Sequence, residues 1–319
     1  MRLDGIAFLM TDKCNASCNM CCFSCTPKGK ALLDKEMIKN YIRQAAEIET
    51  VKTISFSGGE AILYYEQLKE CMEYAKGFGL RTTLVTNGFW AKNYEKGYEM
   101  IKGLVDAGMT DMSISVDKYH QEFVPIESVK NAICIASELG IMSAVTMMDL
   151  KDGESVFNSI EALRPEIYGK DLIVYPVFPA GKALETIDPD QLIRACDSSK
   201  AACPFDHFIT VLFDGTLMMC CTQFSVQIPM THLGKFGETS IQEAIHNFQN
   251  NDFIYVMFSN GLSWYAELAR NLGFPVEEKY CVSCHLCHEL LGNPEFVEKA
   301  KPYVTKEAGR IRLKKLLSR

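Results

Sequence analysis

The sequence predicts an α/β protein: a partial (β/α)6 barrel of parallel strands followed by a small irregular region rich in cysteine. Two observations carry this expectation. From residue 3 to 178, short apolar β-branched runs alternate with longer amphipathic stretches, the rhythm of successive βα units. After "VYPVFPAGKA" the alternation stops, and residues 200 to 290 are irregular, with Cys, Gly and Pro and at most one hairpin, around "DGT" at 214 to 216. In chain order, strands are expected at 5 to 10, "TISFSG" (53 to 58), "RTTLVT" (81 to 86), "DMSISV" (111 to 116), "MSAVTM" (142 to 147) and "DLIVYPV" (171 to 177). Helices are expected near 35 to 48, 64 to 77, 92 to 106, 126 to 139 and 153 to 163. Right-handed crossovers curl such parallel strands toward a barrel, whose chemistry sits on loops at the C-terminal strand ends. The expected division is a barrel over 1–190, an auxiliary region over 191–290 that needs a staple such as a metal cluster, and a helical tail over 291–319.

The 319 residues are 48% hydrophobic and 23% charged, which suits a soluble globular chain with one large and one small domain. No run approaches the roughly 20 apolar residues that span a bilayer, so a cytoplasmic protein without a membrane partner is expected. A net charge of −7 argues against a nucleic-acid partner, because phosphates require a cationic face. The basic ending "RIRLKKLLSR" is most simply a solvated amphipathic end, with docking of a peptide or partner as the sharper alternative.

Fourteen cysteines in such a chain point to metal or catalysis, since cytosolic thiols are kept reduced. Cys71, Cys134 and Cys196 stand alone in helix-like segments and read as small buried hydrophobes. By contrast, "TDKCNASCNMCCFSC" places five thiols between Cys14 and Cys25, directly after the first strand. Cys14, Cys18 and Cys21 have CxxxCxxC spacing. Three thiolates from one loop can hold three irons of a cubane and leave the fourth open. A zinc site would want a fourth ligand, or His and carboxylate neighbours, and neither is nearby in sequence.

At this point the chain resembles the radical S-adenosylmethionine (SAM) superfamily, which carries this spacing after the first strand of a partial (β/α)6 TIM barrel. The resemblance covers residues 1 to about 190. It implies a SAM-binding [4Fe–4S] cluster, SAM itself, and an external one-electron reductant of the flavodoxin or ferredoxin type. Met20 stands where the superfamily usually has an aromatic residue. Gly58, Gly59 and Glu60 of "SGGE" look like the loop that meets the methionine amino group. Thr86 and Asn87 of "TNG", and Ser115 and Asp117 of "SVDKYH", occupy the strand ends that offer polar groups to SAM; Asp117 reads equally as a helix N-cap. Cys22 and Cys25 are extra: bystanders, alternative ligands, or thiols facing the substrate.

A second group, Cys203, Cys220, Cys281, Cys284 and Cys287, resembles SPASM and twitch auxiliary domains, with too few cysteines for two cubanes. One auxiliary [4Fe–4S] cluster is expected, held by Cys203, Cys220, Cys281 and either Cys284 or Cys287. A zinc ribbon is the alternative, with His285 and His288 nearby. Adjacent side chains in an extended segment face opposite ways, so Cys221 points away from a cluster that Cys220 holds, toward the barrel mouth or into a plain buried position. The doubled "MMCC" makes the chain most like the radical SAM peptide epimerases that act on ribosomally made precursor peptides. That likeness implies conversion of L- to D-residues, with Cys221 as catalytic hydrogen donor. The alternatives are a thioether- or crosslink-forming peptide maturase, disfavoured because the first strand begins by about residue 5 and leaves no room for a peptide-recognition domain, and a twitch-type small-molecule dehydrogenase. A cluster- or zinc-binding regulator is the reading that involves no catalysis.

Overall fold

The computed structural model describes residues 2–204 and 207–317. β1 (Gly5–Leu9) is followed by helix α1 (Lys35–Ala46), β2 (Thr53–Ser57), α2 (Tyr65–Lys76), β3 (Arg81–Thr86), α3 (Tyr94–Asp106) and β4 (Met109–Ser115). Then come the short α4 (Lys118–Gln121), α5 (Ile126–Glu138), β5 (Met142–Asp149), α6 (Glu154–Leu163) and β6 (Leu172–Pro176). The helices form where the pattern allows. In α1, Ile38, Tyr41, Ile42 and Ala45 line one buried stripe, and Asp34 caps the start by accepting from Met37 N at 2.9 Å. β1 to β6 pair in sequence order and in parallel, as the expected partial barrel requires.

Beyond the barrel, α7 (Ala183–Thr186) leads to β7 (Cys196–Asp197), β8 (Phe208–Val211), β9 (Thr216–Met218) and β10 (His232–Lys235). β8 and β9 form the hairpin foreseen around "DGT". β8 also pairs in parallel with β1, from Gly5↔Phe208 to Phe8↔Val211. Among the described residues the sheet therefore has nine strands, in the order β10-β9-β8-β1-β2-β3-β4-β5-β6. A side chain at Gly5 would lie 2.4 Å from the Phe208 ring and 2.5 Å from the Thr53 carbonyl, so only glycine lets β1 sit between both neighbours here.

The expectation of an irregular segment up to residue 290 is corrected. Residues beyond β10 form α8 (Ile241–Gln249), α9 (Asp252–Asn260), α10 (Leu262–Asn271), the short β11 (Lys279–Tyr280) paired with β7, α11 (Ser283–Leu291) and α12 (Pro294–Leu317). From α8 to α11 each helix has only 9 or 10 residues and the junctions are abrupt, as at Gly261 with φ of +83°. Two and a half turns show too little period to stand out in sequence. Within the basic ending, Arg310 and residues 312–317 are exposed and only Ile311 is buried, as an amphipathic solvated end requires, whereas the helix ahead of it packs on the protein. α12 buries Phe296, Ala300, Val304, Ala308 and Ile311, while Leu313, Leu316 and Leu317 remain exposed. The last two residues of that basic stretch lie outside the described residues.

Phe8 marks the join between barrel and hairpin. It is wholly buried, stacks on Phe56 with ring centroids 5.9 Å apart and meets Phe236 edge-on at 6.3 Å. Phe8→Ala is expected to cost about 3–5 kcal/mol, read from the denaturant midpoint of unfolding.

Candidate functional site

The first cysteine loop is held by its neighbours on both sides. From the segment after β2, Gly59 N donates to Thr11 O at 2.7 Å and Glu60 N donates to Lys13 O at 2.9 Å. A Cβ on Gly59 would lie 2.3 Å from the Lys13 carbonyl, and Gly58 has φ of +130°, so both glycines are needed for this approach. On the other side Lys182 N donates to Cys21 O at 3.0 Å, and Lys182 Nζ donates to Ser17 O at 2.6 Å. Within the loop Ala16 N donates to Cys14 Sγ at 3.4 Å and Cys21 N to Cys18 O at 3.1 Å.

Cys14 and Cys18 are buried and Cys21 is half-buried. Burial pushes the Cys14 thiol up to about 12 and raises Cys18 as well. A hydrogen bond from Cys25 instead draws Cys21 down to about 6. Thiolates crowded into such a desolvated loop need a cationic partner, and an iron–sulfur cluster supplies one. The donor set therefore fits the cluster. Met20 packs in the same apolar cluster as Cys14, Cys18 and Tyr119.

Glu60 is the buried acid of the site. Its Oε2 accepts from Asn87 N at 2.9 Å and Thr86 Oγ1 at 3.1 Å, while its Oε1 is buried without a partner. Burial raises its pKa to about 7, against the pull of those two donors. An ammonium group is the natural partner for the orphaned oxygen, so the residues also fit the amino end of SAM. Asn87 continues the network, with Nδ2 donating to Asn15 Oδ1 at 2.9 Å and approaching Cys14 Sγ at 3.8 Å.

Ser115 and Asp117 are engaged within the fold. Ser115 Oγ lies 3.1 Å from Thr146 Oγ1. Asp117 Oδ1 caps α4 by accepting from the Tyr119 and His120 amides, each at 3.1 Å, and also meets His120 Nδ1 at 2.9 Å; Oδ2 accepts from Met148 N at 3.2 Å. The N-cap reading of Asp117 thus describes its contacts. His120, which the sequence reading did not single out, is held by Asp117 within electrostatic range of Cys21 and Glu60. The Asp-x-x-His spacing of "DKYH" was its only signal.

In the second group the structure brings Cys203, Cys220, Cys284 and Cys287 around one small apolar cavity of about 30 Å³, with Thr222 and Phe224 also on its wall. Burial raises Cys220 and Cys287, and the proximity of the neighbouring cysteines adds to it. Cys281 does not join them. Residues 283–291 are helical, so Cys284 and Cys287 share a face at i, i+3, while Cys281 precedes the first turn and packs with Cys14, Cys18 and Leu192. The four thiols on that wall thus differ from the expected set, which paired Cys281 with only one of Cys284 and Cys287. His285 stacks on Phe224 and meets Glu289 at 3.3 Å, and His288 Nε2 meets Gln227 Oε1 at 2.8 Å. Among the described residues no three His, Cys, Asp or Glu side chains converge closely enough to grip a single ion. Cys221 is exposed, and its neighbours include Cys22 as well as Cys220.

Among known proteins, residues 8–158 match the Radical SAM superfamily. The chain is 25% identical over 308 residues to "Putative peptide biosynthesis protein YydG" of Bacillus subtilis (strain 168), covering 94% of this chain and 96% of that protein. It is 31% identical over 137 residues to GTP 3',8-cyclase of Helicobacter pylori (strain J99 / ATCC 700824), covering 41% of this chain and 40% of that one. Native anSMEcpe with bound AdoMet and Cp18Cys peptide superposes with a TM-score of 0.60 at 15% identity, covering 97% of this chain and 99% of the other. BtrN in complex with AdoMet and 2-DOIA gives 0.52 at 16% identity, covering 88% and 97%. At these identities the structural likeness is one of fold.

Lys182 offers a test of how the first loop is held. Lys182→Ala is expected to loosen the segment from Ser17 to Cys21 by roughly 1.5–3 kcal/mol, the worth of hydrogen bonds from a charged donor. After reconstitution, iron should be lost to a chelator faster than from the wild-type chain.

Proposed function

We propose, from the match of residues 8–158 to the Radical SAM superfamily, that this chain is a peptide epimerase, converting L-residues to D-residues in a ribosomally made precursor peptide. Cys14, Cys18 and Cys21 would hold the SAM cluster, and Glu60 Oε1 would take the SAM ammonium. Bound there, the cluster and SAM supply a 5'-deoxyadenosyl radical that removes an α-hydrogen. Cys203, Cys220, Cys284 and Cys287 would hold one auxiliary [4Fe–4S] cluster. The catalytic residue is Cys221: its S–H bond is close in strength to the α C–H bond, so it can deliver hydrogen to the opposite face of the planar α-carbon, and reduction of the resulting thiyl radical draws the transfer forward. One electron, drawn in the end from an external flavodoxin- or ferredoxin-type donor, and one proton from solvent then restore the thiol.

The observation that carries this reading is the opposed facing of two adjacent cysteines. Cys220 lines the thiol cavity, whereas Cys221 is exposed and lies near Cys22, the residue beside Cys21. An exposed thiol next in sequence to one that lines the cavity is the kind of group a hydrogen donor requires. The peptide substrate is supported by the match to YydG across 94% of the chain, since that relative is described as a peptide biosynthesis protein.

The test uses a precursor peptide that the reconstituted enzyme modifies, sought first among short reading frames beside this gene, in deuterated water. Each inverted residue should gain one deuterium. Cys221→Ala should still cleave SAM and remove the α-hydrogen but form no D-residue. A product lighter by two hydrogens would indicate crosslinking or dehydrogenation, and inversion at the wild-type rate in Cys221→Ala would remove this residue from the mechanism.

SAM binding is a separate check. Glu60→Gln keeps the shape but leaves an amide in place of the charge, and should weaken SAM binding by roughly tenfold or more in equilibrium titration of the reconstituted enzyme.

A further inference from the structure

β6 ends the sheet, and its outer edge pairs with no strand among the described residues. All four of its leading residues are apolar and open: Leu172 is 39% exposed, Ile173 38%, Val174 48% and Tyr175 47%. Successive residues of a strand face opposite sides, so exposure of all four means that neither face is covered. Phe157 of α6 and Tyr168, ahead of β6, are more exposed still, at 65% and 68%. A bare apolar edge is a template for another strand, and proteins normally blunt or cover it.

The backbone of this edge can be assigned. Asp171 O accepts from Val145 N and Val177 N donates to Asp149 O, both at 2.9 Å. Alternate residues of a parallel strand bond to the same neighbour, so 171, 173, 175 and 177 serve β5, and Leu172 and Val174 turn N–H and C=O outward. Pro176 closes the series because it has no N–H to offer.

The edge also leads to the chemistry. Val177 and Phe178, which follow β6, pack in the apolar cluster that contains Cys14 and Cys18, and the Phe178 ring lies 5.3 Å from Phe224, three residues after Cys221. A strand laid along β6 covers about 3.3 Å per residue, so a segment of five or six residues delivers the next one to that mouth.

We propose that the free edge of β6 binds the substrate peptide as an added strand, selecting an extended, uncharged segment with β-branched or aromatic side chains on both faces. This rests on the reading that the substrate is a peptide and adds where and how it is held. Outward N–H groups at Leu172 and Val174 fix the peptide's register, and the apolar faces select its composition.

The test is amide hydrogen exchange of the reconstituted enzyme with and without the precursor peptide used in the assay above. The Leu172 and Val174 amides should exchange at least tenfold more slowly with peptide than without it, and Val174→Pro, which removes an outward N–H and no bond to β5, should raise KM about tenfold with a much smaller change in kcat. Val174→Ala, which retains that N–H, should recover most of the loss. Unchanged exchange at both amides on binding overturns the proposal, even if Val174→Pro fails to fold. Amides already protected without peptide, in an enzyme of dimeric mass, would assign the edge to a second copy and overturn it too. Modification of the peptide by wild type with an unchanged KM in Val174→Pro sinks the docking alone; no modification by wild type sinks the function on which it rests.

Discussion

The close backbone approach of the segment after β2 to the segment after β1 is the constraint on which the rest of the site depends. Two amide donors, Gly59 N and Glu60 N, reach the carbonyls of Thr11 and Lys13, and glycine at 58 and 59 makes the approach sterically open. That contact sets where the cysteine loop begins. It also carries Glu60 under the loop, where burial raises its pKa and leaves one oxygen unpaired. Through Asn87 the same network then reaches Asn15 and Cys14. Loop, acid and polar strand ends form one connected structure.

The second cysteine group is positioned by a different bond pattern. β8 adds to β1 in parallel, so the hairpin that precedes Cys220 and Cys221 is part of the sheet that carries the first loop. Tyr41 of α1 ties the far side, accepting from Gly237 N at 3.2 Å and donating to the Thr239 carbonyl. The first cysteine loop and the hairpin before the second cysteine group are thereby carried on one sheet.

Much of this was legible in the sequence, and the reasons differ by element. The barrel strands and helices were readable because β-branched runs and amphipathic stretches alternate at lengths well above noise. Cys14, Cys18 and Cys21 were readable because short-range spacing reports on loop chemistry. Long-range facts were not. The parallel pairing of β8 with β1 joins residues about two hundred positions apart, and the turn from loop to helix at Ser283 separated Cys281 from Cys284 and Cys287. α8 to α11 were too short to announce their period. His120 was missed because the contact of its ring with the capping Asp117 is made only in the fold.

The register between β1 and β8 also bears on how such chains diversify. Cutting the chain after the barrel would leave β1 with a bare edge and strip cover from Ile6 and Phe8, which are fully buried in the intact protein. The barrel is therefore not a free-standing cassette to which any cysteine-rich module can be grafted. A replacement module must bring its own strand, parallel and in step with Gly5 to Phe8, so recombination between relatives is confined to partners that preserve that seam.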